Sequence, residues 1–385
     1  MLRFLTAGES HGPIQVAILE GIPAGLSISK EEIDFELKKR AWDFGRGERG
    51  KIEKDQVEIL SGIRFGKTLG SPIALLVKNL DFKNWQKEMK IEDESKTDKE
   101  IGTITKPRPG HADLAGALKY GFQDIRNVIE RASARETVMR VALGAIVKKL
   151  LKEFDILIAS HTIRIGKIKI SKKYKFEEMA NIYQRDPEIR CLDPKAREKM
   201  KKEILNAKKN KNTLGGIVEV AAHNVPPGLG SYVHWDKRMD GRIAQALMSI
   251  PSVKAVEIGN GIEIVLKTGK EVQDVIIFKK NKFSRLTNNL GGIEGGVTNG
   301  GDIICRVFHK PLSTVLASLP TVDVKTKKPA LASVERSDVC VVARAGVISE
   351  AMLAFVLAEA LLEKFGGDNL LDIKKNFQFY LQRLK

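Results

Sequence analysis

The stretch from residue 105 to residue 143 concentrates the side chains of this chain that could bind or transform a ligand. Arg108 and His111 lie in the segment TKPRPGHAD, whose prolines and glycine predict a stiff, non-helical turn. The forked donors of an arginine match carboxylate and phosphate groups. The turn therefore presents an imidazole beside an anion-binding cation.

A helix is predicted to begin at Ser133, because Ser133 and Glu136 have the spacing of a capping box and an apolar run at helical spacing follows. Arg131 and Arg135 flank this helix start, where unpaired N–H groups and the helix dipole favour anions. Together these features predict a phosphate or carboxylate site.

The capping box alone has a purely structural alternative. Ser133 and Glu136 would then only cap the helix, while the arginines pair with Asp124 and Glu130. The whole stretch favours the ligand site, because an isolated histidine and four nearby arginines exceed what a cap requires.

Two segments near the N-terminus have a similar character. Ser10 and His11 lie between two glycines in AGESHG, where a ligand can approach the backbone closely, although His11 by itself is typical of a turn. A helix capped by Ser29 is predicted to run to about residue 42 and carries Arg40 near its end. The glycine-rich loop FGRGERG follows that helix and contains Arg46 and Arg49.

The rest of the chain alternates strands and helices without a regular βαβ rhythm, which indicates an α+β protein. We find no repeat and no linker, so a single domain over residues 1–385 is predicted. Its predicted parts are two strands within 57–77 joined by a turn at 66–70, a charged loop excursion near 78–105, a Lys-rich helical insert near 167–212, a strand at 215–224, a helix near 236–250, a glycine-dense run at 288–301 and an amphipathic helix near 348–365.

Composition narrows the class of protein. The chain has 385 residues, a formal net charge of +17 and three scattered cysteines, and its longest apolar stretch is interrupted by charges. These features predict a cytoplasmic protein without disulfides or a membrane span. Nucleic-acid binding is the first alternative for such a charge, but aromatic residues are sparse and the arginines cluster away from the lysine-rich insert. A small polyanionic ligand is therefore expected.

Eight motifs then resemble one family in order and spacing, from about residue 5 to residue 364. They are AGESHG, LKKR followed by GRGER, RPGHADLAGALKY, ERASARET, MSIPSVKAVEIG, GGIEGGVTNG, KPLST and ERSDVC. By these motifs the chain resembles the chorismate synthases. The resemblance implies conversion of 5-enolpyruvylshikimate-3-phosphate to chorismate by 1,4-elimination of phosphate, with reduced FMN as cofactor.

The resemblance also implies roles for individual residues. His11 would protonate the departing phosphate, His111 would face the N1 edge of the reduced flavin, and Asp338 would lie near flavin N5 and help to accept the proton. The implied substrate-binding residues are Ser10, Arg40, Arg46, Arg49, Arg108, Arg135 and Arg336. The implied flavin-binding residues are Arg131, Ala132, Ser133, Gln245, Ala246, Gly295, Lys310, Pro311, Leu312, Ser313, Thr314 and Arg336.

The family fold implied is a sandwich of helices packed between two antiparallel sheets, assembled as a homotetramer. Some members reduce their own flavin with NADPH, and Arg40 and Arg46 are then the candidate contacts, although no dinucleotide fingerprint is present. No metal, nucleic-acid or membrane partner is expected. The chain departs from the family pattern locally, and His309 stands before Lys310 where an apolar residue is expected.

Overall fold

The structure is a computed structural model that describes residues 1–45, 54–92, 102–279, 281–335 and 338–384. Within these residues the strands are β1 (Arg3–Ala7), β2 (Ile14–Glu20), β3 (Val57–Ile59), β4 (Ile63–Arg64), β5 (Lys67–Thr68), β6 (Ile73–Lys78), β7 (Leu157–Ile165), β8 (Ile168–Lys169), β9 (Gly216–His223), β10 (Val253–Ile258), β11 (Ile276–Lys279), β12 (Lys282–Arg285), β13 (Ile293–Glu294), β14 (Val297–Thr298), β15 (Ile303–His309), β16 (Pro320–Val322) and β17 (Pro329–Leu331). The helices are α1 (Lys30–Ala41), α2 (Asp113–Tyr120), α3 (Arg126–Ala132), α4 (Thr137–Lys152), α5 (Phe176–Ala180), α6 (Ile182–Arg185), α7 (Pro194–Lys209), α8 (Met239–Met248), α9 (Gly261–Ile264), α10 (Gly269–Val272), α11 (Val342–Phe365) and α12 (Leu370–Arg383).

Two antiparallel sheets organise the chain, and the α+β class is confirmed. The first sheet has the order β1-β2-β6-β3 and the second has the order β10-β15-β9-β7-β8. Strand β15 buries every second side chain, including Cys305 and Val307, because successive residues of a strand point to opposite faces. Val307 lies opposite Val218 of β9, so the apolar faces of neighbouring strands coincide.

The helices α4 and α11 pack against each other and against the sheets. Helix α11 contacts β7 and β9 of the second sheet, and α4 contacts β2 and β6 of the first. One core cluster contains Leu75 of the first sheet, Val220 of the second and Leu353 of α11. The two helices approach closely at Gly144, where a Cβ atom would lie 2.3 Å from the Cβ of Ala351.

The prediction of an amphipathic helix near 348–365 is wrong in character. Helix α11 begins earlier, at Val342, and 18 of its 24 residues are buried. It is the one helix among the described residues that is long and apolar enough to cross a membrane, but 83% of its most apolar window is buried inside the protein. A helix that is apolar on all sides is typical of a buried core position.

Two local predictions within residues 29–77 have different outcomes. The capping box at Ser29 is confirmed, since Ser29 Oγ accepts from Glu32 N–H and Glu32 Oε2 accepts from Ser29 N–H. Residues 57–77 form four short strands rather than two. The pattern breaks because Phe65 and Gly66 take positive φ in a tight hairpin and Gly62 takes positive φ before β4.

Candidate functional site

A cavity of about 440 Å³ is lined by residues from eight separate segments of the chain. A volume of this size is within the range of small-molecule sites. Most of the residues that the sequence singled out lie on its wall. They are Ser10, His11, Arg40, Arg108, His111, Ala132, Ser133, Arg135, Lys310, Leu312, Ser313, Thr314 and Asp338.

Other predicted site residues are placed elsewhere or are not described. Arg46, Arg49 and Arg336 lie outside the described residues. The cavity wall does not include Arg131, Gln245, Ala246, Gly295 or Pro311. Arg131 is exposed and donates to the backbone oxygens of Thr6 (2.9 Å) and Gly8 (3.2 Å). Gln245 and Gly295 are also exposed in the single chain.

His11 is held by a carboxylate and covered by an indole. Its Nδ1 lies 2.9 Å from Glu130 Oε1, and its backbone N–H donates to Glu130 Oε2 at 2.8 Å. Burial raises the pKa of Glu130, but the hydrogen bonds and charge of His11, with Arg126, outweigh it and lower that pKa. The ring of Trp85 stacks on the imidazole with centroids 3.8 Å apart. The carboxylate thus fixes the orientation of the ring.

His111 has a carboxylate at the same ring position. Its Nδ1 lies 2.5 Å from Asp113 Oδ1, and Arg108 Nε donates to Asp113 Oδ2 at 2.8 Å. Burial opposes ionisation of Asp113, yet hydrogen bonds from His111 and Arg108 hold its pKa well below the usual range. Asp113 is fully buried, so its carboxylate orients the side chains of His111 and Arg108 from behind.

The predicted capping box at Ser133 is wrong. Ser133 ends α3 and its Oγ accepts from Arg135 N–H at 3.3 Å, at the start of a 3₁₀ turn over Ala134–Glu136. Helix α4 begins only at Thr137. The Glu136 carboxylate does not reach back to Ser133, because Arg140 (2.9 Å) and the hydroxyl of Thr6 (3.0 Å) donate to it instead.

Arg135 connects the cavity to distant segments of the chain. Its Nη1 lies 2.7 Å from Asp55 Oδ1, and its Nε donates to Asn79 Oδ1 at 2.8 Å. Asn79 in turn donates from Nδ2 to the carbonyl of Gly12 at 2.6 Å, which fixes the AGESHG loop. Arg40 belongs to the same group, with its Nη1 lying 3.6 Å from Asp55 Oδ2.

The segment KPLST packs directly on the proline turn. The Lys310 ammonium donates to the carbonyl of Gly110 and to Ser313 Oγ, and Arg108 Nη1 donates to Thr314 Oγ1 at 2.8 Å. Burial, together with the charge of Lys254, lowers the pKa of Lys310. Two predicted binding segments that are about 200 residues apart therefore form one continuous wall.

Asp338 is paired with an arginine that sequence reasoning did not assign. Arg344 Nη1 lies 3.0 Å from Asp338 Oδ2, and Arg344 Nε lies 3.5 Å from Asp43 Oδ2. Burial opposes the charge of Arg344, but Asp338 and Asp43 raise its pKa. The sequence does contain a signal for Arg344, because it is an isolated charge in an otherwise apolar run.

Trp85, Asp113 and Glu130 were also missed as site residues. Asp113 follows His111 by two positions within RPGHAD, so a histidine–carboxylate pair could have been inferred from the sequence. The contact between Trp85 and His11 has no local sequence signal, since the two residues are joined only by tertiary packing.

The charge on the cavity wall defines what it can bind. Among the described lining residues, cationic side chains outnumber carboxylates by five to two; they are Arg40, Arg108, Arg135, Lys310 and Arg344 against Glu335 and Asp338. This excess suits a ligand with several anionic groups. The described residues contain no group of three or more His, Cys, Asp or Glu side chains that could hold a metal.

Comparisons with known proteins agree over the full chain. Residues 2–362 match the family model described as chorismate synthase. The chorismate synthase of Aquifex aeolicus (strain VF5) is 51% identical over 393 aligned positions, covering 100% of this chain and 98% of the relative. That of Koribacter versatilis (strain Ellin345) is 49% identical over 100% of both chains. A crystal structure of a chorismate synthase superposes with a TM-score of 0.80 and 44% identity, covering 100% of this chain and 98% of the solved chain.

Proposed function

The chain belongs to the chorismate synthase family, and from this premise we propose how its residues divide the work of the reaction. It converts 5-enolpyruvylshikimate-3-phosphate to chorismate and inorganic phosphate, the last common step of the shikimate pathway to aromatic amino acids, with reduced FMN as cofactor. The observation that supports the assignment of residues is that His11, His111 and Asp338 share one cavity.

We assign His11 as the acid that protonates the departing phosphate. Its Nδ1–H donates to Glu130, so Nε2–H is the group that would reach a phosphate oxygen. The carboxylate of Glu130 stabilises the protonated ring, and Trp85 holds it in place by stacking. A fixed donor needs little reorganisation when the C–O bond breaks.

The cationic wall neutralises the substrate. The substrate carries two carboxylates and a phosphate, and FMN adds a second phosphate. Arg40, Arg108 and Arg135 line the cavity and are buried, so their attraction for an anion is weakly screened. We propose that these arginines bind the anionic groups of the substrate together with Ser10, Arg46, Arg49 and Arg336.

The residues present fit a flavin on the same wall. Lys310, Ser313 and Thr314 place one ammonium and two hydroxyls beside the backbone of Gly110, a polar set that suits a cofactor edge. When bound, reduced FMN would lend an electron to a substrate whose departing hydrogen is not acidified by a carbonyl group, and would recover it as that hydrogen leaves. His111, oriented by Asp113, would donate a hydrogen bond to the N1 edge of the flavin.

Asp338 would receive the proton that leaves the substrate ring. Arg344 Nη1 lies 3.0 Å from Asp338 Oδ2 and fixes the position of this carboxylate. The remaining task of the chain is to exclude water from the cavity, which strengthens each of these charge interactions.

The larger organisation follows the same family. We propose a single domain in which α4, α11 and their neighbours lie between the two antiparallel sheets. We also propose a cytoplasmic homotetramer, and the exposed side chains of Leu266, Phe278 and Phe283 support self-association. Gln245, Ala246 and Gly295 are not on the cavity wall of the single chain, and we propose that a neighbouring copy brings them into contact with flavin.

The test is anaerobic phosphate release from 5-enolpyruvylshikimate-3-phosphate. Release is expected with dithionite-reduced or photoreduced FMN and not with oxidised FMN alone. NADPH plus oxidised FMN is the second arm, because turnover there would assign a reductase step and a role for Arg40 and Arg46. The proposed roles fail if His11→Ala and His111→Ala both keep wild-type phosphate release.

A further inference from the structure

His309 is a buried imidazole immediately behind the cavity wall. It ends β15, is 5% exposed, and precedes Lys310, which lines the cavity. Its Nδ1 lies 2.9 Å from the Oγ of Ser252. Its Nε2 is buried and has no hydrogen-bond partner among the described residues.

Ser252 itself lies on the cavity wall in an unusual conformation. Its φ is +74°, in the left-handed region that few residues other than glycine adopt, so the tertiary structure must hold it there. Its carbonyl accepts the backbone N–H of Lys310 at 2.9 Å. The imidazole of His309 and this backbone bond thus fasten Ser252 twice to the segment that contains Lys310.

The protonation of the imidazole decides which way the hydrogen bond runs. Burial lowers the pKa of His309 to about 4, so the ring is neutral at neutral pH and carries one N–H. A buried N–H without a partner is costlier and rarer than an unmet acceptor. The favoured tautomer therefore places the proton on Nδ1, which donates to Ser252 Oγ and leaves Nε2 as a bare acceptor.

The direction of this hydrogen bond determines whether the Ser252 hydroxyl can donate to a ligand. Because Oγ accepts from the ring, the hydroxyl hydrogen of Ser252 is not used on His309 and can be directed into the cavity. The neighbouring Lys310 ammonium uses two of its N–H groups on Gly110 and Ser313 and offers the third from the same wall.

We propose that His309 is a positioning residue that presents the Ser252 hydroxyl as a donor to an acceptor oxygen of the flavin bound against residues 310–314. This inference rests on the proposed placement of FMN. An apolar side chain at position 309 could not set the direction of the serine hydroxyl.

The binding test uses the full chain and FMN, followed by quenching of flavin fluorescence. Ser252→Ala and His309→Leu should each weaken binding about five- to tenfold, the size of one lost hydrogen bond. The double variant should be no weaker than either single variant, because both act through one hydroxyl. His309→Asn, whose amide can occupy the Nδ1 position, should recover part of the loss. Ser61→Ala and His223→Leu, which lie outside the cavity wall, serve as controls and should bind as wild type.

The proposal is overturned if the two substitutions weaken FMN binding independently of each other, or if they do not weaken it. If Ser252→Ala binds FMN as tightly as wild type, or if the two losses add in the double variant, His309 does not act through Ser252. If the wild type releases phosphate but these variants behave as just described, only the inference about His309 has failed. If the wild type itself releases no phosphate, the proposed function has failed.

A second measurement does not depend on how the variants fold. The ¹⁵N shifts of His309 in the wild type should show a neutral Nδ1–H tautomer that does not titrate between pH 5 and pH 8. An Nε2–H tautomer, or a ring that becomes protonated in that range, contradicts the assigned hydrogen bond.

Discussion

Two charged regions lie against the same helix, α11, and their charges are arranged differently. Glu350, two turns into α11, accepts from Arg190 at 2.6 Å and from Lys148 at 2.9 Å, and Lys148 also meets Glu36 at 2.7 Å. We call Glu36, Lys39, Lys148, Arg190 and Glu350 the Glu350 cluster. The cavity, at the N-terminal end of α11, has Arg344 and Asp338 on its wall.

The difference lies in where the partners of each charge come from. In the Glu350 cluster the carboxylates and cations face one another within the core, and the charges of Lys148 and Arg190 lower the pKa of Glu350 against its burial. On the cavity wall the described cations exceed the carboxylates, while Asp113 and Glu130 orient side chains from behind. The charges of the Glu350 cluster bind one another inside the core and stabilise the fold, whereas the cations of the cavity wall border a space that an anionic ligand can enter.

The largest expected effect comes from removing the acid at the cavity. His11→Ala should lower kcat about 10²- to 10⁴-fold, the usual contribution of a general acid, while the fold persists. Anaerobic phosphate release and thermal unfolding measure the two properties. His223→Ala removes a histidine that pairs with Asp302 outside the cavity wall, and it should leave kcat unchanged. Retention of more than a tenth of the activity in His11→Ala would refute the assignment.

Removing the central carboxylate of the Glu350 cluster should lower the stability of the fold rather than the rate of catalysis. Glu350→Leu leaves Lys148 and Arg190 buried with less compensation, and the free energy of unfolding should fall by about 3–5 kcal/mol. Urea denaturation measures this loss, and kcat per folded molecule should not change. Glu363→Leu, on the same helix but in a half-exposed pair with Arg242, should cost less than about 1 kcal/mol. Equal losses of unfolding free energy in the two variants would contradict the expected difference between the buried cluster and the surface pair.

The buried imidazole of His309, at the boundary of the cavity, should make the stability of the protein depend on pH. Its folded-state pKa of about 4 is below the value of about 6.5 in an unfolded chain, so the unfolded state binds more protons between these values. Stability contributed by the neutral ring is therefore lost as the pH falls from about 6.5 to about 4, by roughly 3 kcal/mol in total. His309→Leu should flatten this part of the curve of stability against pH, as measured by urea denaturation. A variant with the same slope as wild type would show that His309 is not the group responsible.

Glu130→Gln should separate orientation from charge at the cavity. The variant keeps the shape of the side chain but loses a charge-assisted hydrogen bond to His11, worth about 1.5–3 kcal/mol, so kcat should fall about ten- to hundredfold. KM for the substrate should change much less, because Glu130 lies behind the histidine. Steady-state kinetics under anaerobic conditions would make the distinction, and a selective rise in KM would place Glu130 in substrate binding instead.

The smallest expected effect concerns the indole over His11. Trp85→Leu removes a stack worth about 0.5–1.5 kcal/mol, so kcat should fall about two- to tenfold. Trp235→Leu is the control, because Trp235 is 86% exposed and outside the cavity wall. Equal activity of the two variants would show that stacking does not position His11.

Particular residues show how far the sequence could be used. Ser29 and Glu32 form the predicted capping box because Lys149 binds Oε1 of Glu32 and leaves Oε2 to accept from Ser29 N–H. The same spacing fails at Ser133, since Arg140 and Thr6 hold Glu136. The local signal was equally strong in both cases, and tertiary neighbours decided between them.

What the sequence determined by itself is local and chemical. Proline and glycine fixed the turn that holds Arg108 and His111, alternation fixed which face of β15 is buried, and the motifs specified the family. Such features depend on dihedral preferences and on neighbours within a few residues.

Only the tertiary structure paired His11 with Glu130, placed Trp85 on that imidazole and brought Arg344 to Asp338. These contacts depend on how two sheets and the helices α4 and α11 bury their apolar faces together. Burial of these faces selects one arrangement of the distant segments. The free energy that offsets the entropy of bringing such segments together comes from the core as a whole. A short window of sequence therefore cannot predict which side chains will meet.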